Sequence, residues 1–542
     1  MSLRQKMDNS IKVLLKPGNS DFYKINKGEI YLDGIGGEML FNSYDFMLFF
    51  PIVVAIYFII PKKIRYIWLL IVSYYFYMGW NAKYAILIAV STIITYLSGV
   101  FIERIDSNKE AKAVTEIMRY KKWVVVFSFA TNIGILFFFK YFDFLWENIQ
   151  FLFTQFGVTV IEKPFDVILP VGISFYTFQA LSYTVDVYRG DVKAEKNILR
   201  YALFVSFFPQ LVAGPIERSK NLLMQVDKVE EIHVWDYDRV TQGAVLMLWG
   251  LFQKMVIADR AAILVDTVYD SYWMYGSIEL MLATVLFAVQ IYCDFGSYSL
   301  IAIGAAKIMG FALMENFNTP YFSRSIKEFW RRWHISLSTW FRDYLYIPLG
   351  GNQCSKIRRY INLMITFLVS GLWHGASWSF ICWGGVHGLY QVIGDMLRPV
   401  KKRLIKKYKV KDKSISYKLG QIFVTFVLVD FAWIFFRMNS LSNSLKFIWR
   451  IIINWNPWVL YNQSLYKLGL NQQEIHILII SIVILFLVDC VRYKKNMTLD
   501  IFLKNECIWF RWGVLFCIFF FIVIFGIYGP AFEAKQFIYF QF

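Results

Sequence analysis

A chain of 542 residues with 57% hydrophobic and 19% aromatic residues, but only 18% charged ones, and a mean hydropathy of +0.45 lies outside the range of soluble globular proteins. Apolar runs of about 20 residues fit α-helices crossing a hydrocarbon core of roughly 30 Å, and they lack the dyad alternation of an outer-membrane barrel. The net charge of +18 sits in short basic stretches between apolar runs, so topology and anionic membrane lipid explain it better than nucleic acid does. The composition therefore predicts an all-α polytopic membrane protein. Its six cysteines show no C-x-x-C pairing and read as small hydrophobes, not as disulfides or a metal site.

In chain order, residues 1–38 are polar, without the apolar stretch of a signal peptide. They read as a disordered extension, with Met39 a candidate start. Residues 39–530 form the membrane domain, with its core at 165–390, and 531–542 an aromatic tail. The first spans are 44–60, 66–80 and 82–102. Basic residues place 61–65 and 103–122 on the cytoplasmic side. A fourth span covers 123–142, and the aromatic stretch 144–156 is short enough to be interfacial. The stretch 165–188 mixes Pro170, Gly172, Ser174, Gln179, Ser182 and Asp186 into an apolar run. Small polar residues commonly pack helices in lipid, and pore lining is the alternative.

Further spans are 241–257, 278–292, 361–389, 419–436, 475–491 and 512–528, with 441–453 amphipathic and interfacial. Re-entrant pieces are expected among ten to twelve hydrophobic elements. Asp294, between apolar stretches, requires a partner, for which an arginine of the segment 324–342 is the natural candidate.

Chemistry concentrates in RSIKEFWRRWHISLSTWFRDYLYIPLGG, from Arg324, and in GLWHGASW around His374. Of five histidines, His233 lies in a polar loop and His476 begins a span. If 361–389 is one helix, His374 and His387 lie about 20 Å apart on opposite faces and cannot share a site. A lone intramembrane histidine is as readily a packing residue as a base, but His334 lies among cations and aromatics. At helical spacing, Trp330, His334, Ser338 and Arg342 share neighbouring parts of one face. Such a lining suits a nucleotide-bearing thioester such as acetyl-CoA. Arg331, Arg332 and Arg342, with Asp343 beside them, would meet its phosphates, and Trp330 and Trp373 would pack its apolar arm. Topological anchoring is an equal reading for each arginine. Neutral imidazole removes a hydroxyl proton as that hydroxyl attacks the thioester. No serine-hydrolase, zinc or P-loop motif is present.

The stretches PVGISFYTFQALSYTVDVYRGD, FFPQLVAGPIERS, CDFGSYSLIAIGAAKIMGF, ENFNTPYFSRSIKEFWRRWHISLSTWFRDYLYIPLGGN and FLVSGLWHGASWSFICWGGVHG resemble the membrane-bound O-acyltransferase (MBOAT) family, in its bacterial alginate O-acetyltransferase branch. The resemblance implies a multi-helix bundle with re-entrant segments and a central funnel, in a multi-pass protein of the bacterial cytoplasmic membrane. It implies transfer of acetyl groups from cytoplasmic acetyl-CoA for O-acetylation of an exported polysaccharide, completed by an extracytoplasmic SGNH-type transferase, without a bound cofactor or metal. His374 falls on the family's active-site histidine and His334 on its upstream polar position. The ending FIYFQF resembles a tail whose tyrosine, here Tyr539, is a transient acyl carrier, although a phenol with a pKa of about 10 needs an adjacent base. D-alanyl transfer to teichoic acid, or a transporter or flippase without chemistry, are the alternatives.

Overall fold

The computed structural model of the protein describes residues 23–26, 29–32 and 39–538, except 108–113, 158–162, 164–166, 168, 235, 413, 439 and 529–536. Tyr23–Asn26 (β1) pairs antiparallel with Glu29–Leu32 (β2). The rest of the polar extension lies outside the described residues, as does Tyr539.

From Tyr44 onward the architecture is helical, as the composition predicts. α1 (Tyr44–Ile59), α2 (Arg65–Asn81) and α3 (Ala85–Ser107) lead to α4 (Val114–Gln155). α4 runs unbroken for 42 residues, about 63 Å at the usual rise. This replaces the expected span 123–142 and separate interfacial stretch 144–156. No glycine or proline falls between Gly134 and Gly157 to end the helix.

α5 (Ile173–Arg189) starts at Gly172, whose φ of 74° suits glycine. A Cβ there would also meet the Leu211 carbonyl oxygen at 2.9 Å. The polar residues of α5 serve packing over most of its length: Asp186 accepts from Ser219 Oγ and Tyr344 Oη, both at 2.7 Å. α6 (Ile198–Ser206) leads into the non-helical, wholly buried segment 207–214, a re-entrant piece.

α7 (Tyr237–Phe252) continues through a π-helical turn, Gln253–Ala258, into α8 (Asp259–Asp270). α9 (Ser277–Ile308) is the core of the molecule: 72% of its apolar window is buried, more than in any other candidate span. It extends well beyond the expected 278–292. α10 (Ile326–Arg332) and α11 (Ile335–Phe341) are short and bury their aromatic and aliphatic faces. α12 (Lys356–His374), α13 (Trp378–Lys407), α14 (Ile415–Arg437), α15 (Leu441–Ile453), α16 (Gln472–Lys495), α17 (Leu499–Lys504) and α18 (Ile508–Phe525) complete the chain. Among the described residues, seven stretches are long and apolar enough to cross a bilayer.

Two expectations about the centre are corrected. Residues 361–389 are not one helix: α12 ends at His374, and Ser377 Oγ accepts from Phe380 N to start α13, so the two form a hairpin. Gly371 and Gly384 are the crossing point. A Cβ on Gly371 would overlap the Phe380 carbonyl oxygen, and one on Gly384 the Phe367 carbonyl oxygen, the close backbone approach that small residues permit in lipid. Nor do Trp330, His334, Ser338 and Arg342 share one helical face, because the chain breaks between α10 and α11.

The basic loops meet on one face. Arg65 donates to the Ile232 carbonyl at 3.0 Å, Lys307 pairs with Asp500 at 2.7 Å, Arg492 with Glu315 at 3.2 Å and Lys504 with Asp238 at 2.9 Å. Arg189 Nη2 donates to the Asp343 carbonyl at 3.1 Å. The C-terminal end of α5 lies on this face, and its N-terminal end lies at depth.

The hairpin crossing yields a paired test. Gly384→Ala forces methyl against backbone and lowers stability by about 1–3 kcal/mol. In Gly385→Ala the new carbon meets only Leu368 Cδ2, at an ordinary 3.5 Å. Thermal unfolding in detergent should show a lower midpoint for the first variant and little change for the second; equal midpoints would contradict the crossing.

Candidate active site

Asn316 begins the site. After α9 the chain turns back into the core, where Asn316 is 1% exposed and its Nδ2 donates to Ser299 Oγ at 3.2 Å. Its Oδ1 accepts from Ser336 N at 3.3 Å and from Ser336 Oγ at 2.9 Å, and lies 3.0 Å from His334 Nδ1. Because a backbone N–H points at Oδ1, that atom is the oxygen, and His334 Nδ1 must carry the proton it shares. The basic lone pair of His334 is therefore on Nε2.

His334 itself has φ 43° and ψ 56°, a left-handed conformation rare for a residue with a Cβ and typically retained at functional positions. This conformation separates α10 from α11, and the Asn316 carbonyl accepts from Ile335 N at 2.9 Å to hold the break.

His374 arrives from the opposite direction as the last residue of α12. Its ring centroid lies 6.3 Å from that of His334. The pair is enclosed by aromatics: Phe295 is 4.7 Å and Phe175 6.3 Å from His334, while Trp373 is 4.8 Å, Trp383 4.9 Å and Phe436 5.5 Å from His374. Both histidines are almost fully buried.

Two cavities approach this pair. One, of about 200 Å³, runs from Lys307, Glu315, Arg492 and Asp500 on the basic face to Asn316. The other, of about 40 Å³, is lined by Lys140, Pro170, Gly172, Ser174, Trp373 and His374. It lies at the ends of α5 and α12 remote from the basic face. His374 thus lines the second cavity, and His334 meets the first through its contact with Asn316.

Of the other residues singled out from the sequence, Trp373 packs on Phe175, Phe178 and both histidines. Trp330 turns away to His387, donating to its Nδ1 at 3.3 Å. His387 is nearer the site than a continuous helix would allow, since the hairpin puts Trp383 in contact with both His374 and His387. Arg331 is exposed. Arg332 pairs with Glu328 at 3.1 Å, and Arg342 with Asp343 at 2.7 Å. None of Arg331, Arg332, Arg342 and Asp343 lines either cavity. Sequence reasoning passed over Asn316 and Lys140. Lys140 carried one signal, a charge within an apolar run, and Asn316, among Glu315, Asn318 and Thr319, carried none.

Asp294 has a partner other than the expected arginine. Lys254 Nζ, on the π-helical turn, is 2.6 Å from Asp294 Oδ1 and 3.0 Å from Asp259 Oδ1, all deeply buried. The π turn carries Lys254 toward α9, a role often taken by such turns at functional positions. Asp294 Oδ2 accepts from Ile538 N at 2.5 Å, and Lys254 Nζ lies 4.2 Å from the Phe537 ring centre. Phe537 and Ile538 are 1% and 4% exposed. Phe537 and Ile538 are thereby seated on α9, one residue from Phe295, which touches His334.

The sequence model of the membrane-bound O-acyltransferase family matches residues 192–442. The chain is 35% identical over 452 residues to "Probable alginate O-acetylase AlgI" of Pseudomonas aeruginosa, covering 82% of this chain and 81% of that protein. It is 32% identical over 441 residues to the peptidoglycan O-acetyltransferase of Helicobacter pylori, covering 75% and 79%. To the teichoic acid D-alanyltransferase of Streptococcus thermophilus it is 29% identical over 290 residues, covering 49% and 68%.

Replacing Lys254 by Met leaves two buried carboxylates facing each other without their cation, at a cost of about 3–5 kcal/mol. Thermal unfolding should fall accordingly, and carboxypeptidase should remove Ile538 and Phe537 faster. Adding Asp259→Asn and Asp294→Asn should restore part of the stability; an unchanged melting point and cleavage rate in Lys254→Met would refute the clamp.

Proposed function

The chain belongs to the membrane-bound O-acyltransferase family and is an O-acyltransferase of several membrane spans, and from that premise we propose that it moves acetyl groups from cytoplasmic acetyl-CoA to hydroxyl groups of an exported glycan. The observation that carries this reading is the His334–His374 pair, with ring centroids 6.3 Å apart, His374 lining one cavity and His334 meeting Asn316 at the end of the other. In this reading the protein lies in the bacterial cytoplasmic membrane with its basic face inward.

The donor enters by the basic-face cavity. There Lys307 and Arg492 are already paired with Asp500 and Glu315. The cavity carries no excess of positive charge, so it suits the pantetheine arm with its thioester, and the nucleotide phosphates remain at the surface. His374 is the base: it takes the hydroxyl proton as the new C–O bond forms at the thioester carbonyl. As the C–S bond breaks, the proton passes to the departing thiolate, so charge and protons balance. His334 has its proton on Nδ1, so its Nε2 serves as an acceptor that orients the attacking hydroxyl; it is not a donor that polarises the carbonyl.

The first attacking hydroxyl is that of Tyr539. Ile538 precedes it in the chain and is held by Asp294. The acetyl group then leaves through the far cavity to an extracytoplasmic transferase, for which an SGNH-type enzyme has suitable chemistry. The similar proteins from P. aeruginosa and H. pylori are named for O-acetylation of alginate and of peptidoglycan. Sugar hydroxyls are the common acceptor chemistry.

Purified protein in nanodiscs should release free thiol from acetyl-CoA. His374→Ala should lower that rate by about 10²- to 10⁴-fold, and Tyr539→Phe should abolish acid-stable labelling of the protein by radiolabelled acetyl-CoA. Undiminished thiol release in both His374→Ala and His334→Ala would remove the catalytic assignment, and undiminished label in Tyr539→Phe would remove the carrier.

A further inference from the structure

A helix that stops in the buried interior leaves its last four carbonyl groups without intrahelical donors and with no bulk water to replace them. α12 stops at His374. The usual remedy, a glycine in the left-handed conformation just past the end, is not used: Gly375 is extended, with φ −164°. Its N–H reaches only the Gly371 carbonyl, at a long 3.4 Å.

The other three carbonyls turn to two consecutive residues of α4. Tyr141 Oη donates to the Leu372 carbonyl at 2.8 Å. Lys140 Nζ donates to the Trp373 carbonyl at 2.6 Å and to that of His374 at 3.2 Å, with Ser174 Oγ at 3.5 Å. The ammonium also meets the negative end of the helix dipole and lies 5.7 Å from the Trp373 ring centre. A lysine in an apolar span is costly and marks function by default. Here its charge is spent on the backbone of the two residues that form the wall of the site.

We propose that Lys140, assisted by Tyr141, is a positioning residue for acyl transfer: the pair closes the open end of α12 and thereby fixes the His374 imidazole at the cavity it lines. Lys140 acts through His374 and does not itself contact the reacting carbonyl. The inference rests on the reading of His374 as the base.

Thiol release from acetyl-CoA by the full chain in nanodiscs tests it. Lys140→Met should lower kcat by about 100-fold, the scale of a misplaced catalytic group, with KM for acetyl-CoA little changed, because the donor enters from the other cavity. Lys140→Arg, which can donate to both carbonyls, should recover most of kcat, and Tyr141→Phe should lose several-fold. Lys140→Met with wild-type kcat, or a loss confined to KM, would overturn the proposal. If Lys140→Met does not fold, by gel filtration in detergent, the other two variants decide: an inactive but folded Lys140→Arg together with a fully active Tyr141→Phe would overturn it. Should the wild-type protein release no thiol, the donor assignment fails separately. Modification of His374 by diethyl pyrocarbonate, read by mass spectrometry, then decides: faster reaction in Lys140→Arg or Tyr141→Phe than in wild type supports the positioning role, and equal rates overturn it.

Discussion

A backbone polar group buried away from water must find its partner within the protein, and the candidate site is built where two buried helix ends break that pattern and are repaired. One break lies between α10 and α11, where His334 takes a left-handed conformation and Asn316 binds the freed amides of Ile335 and Ser336. The other lies at the end of α12, where Lys140 and Tyr141 bind the freed carbonyls of Leu372, Trp373 and His374. Each repair also places a histidine. The two breaks face each other, so the imidazole centroids lie 6.3 Å apart.

The same logic extends to the charged core. α9 carries Asp294 deep in the molecule because Lys254 and Asp259 complete a buried ion cluster around it, and the remaining carboxylate oxygen receives the main chain of Ile538. A buried ion cluster contributes little net stability by itself. Its value here is specificity: among the described residues, the Ile538 N–H and the Phe537 ring fit it, close to Phe295 and His334. Phe537 and Ile538 thus share one helix, α9, with the Asn316 end of the candidate site.

Much of this was legible in the sequence. Hydropathy identified the helical membrane class and most spans, and the WHISLS and GLWHGASW segments singled out His334 and His374, which the fold brings together. What escaped was tertiary. The turn at Gly375–Ser377 looks from sequence like a continuation of the apolar run 361–389, and only the Gly371–Gly384 packing shows it to be a hairpin. Lys254 lies 40 residues from Asp294, a separation similar to that of the arginines in 324–342, so sequence distance did not favour one over the other. Those arginines dominate the sequence pattern, yet Arg332 and Arg342 are occupied by Glu328 and Asp343. Lys140 stood unnoticed within FFFKYFDF because its partners are backbone carbonyls, which leave no trace in side-chain patterns.

That two imidazoles from separate breaks serve one reacting carbonyl is the claim on which this account depends. A double-mutant cycle on the kcat of thiol release from acetyl-CoA, with His334→Ala, His374→Ala and the combined variant, measures it directly. Groups that act as a unit are strongly non-additive, so the combined variant should be no slower than about threefold below the worse single variant. Losses that multiply as for independent sites would contradict a shared centre.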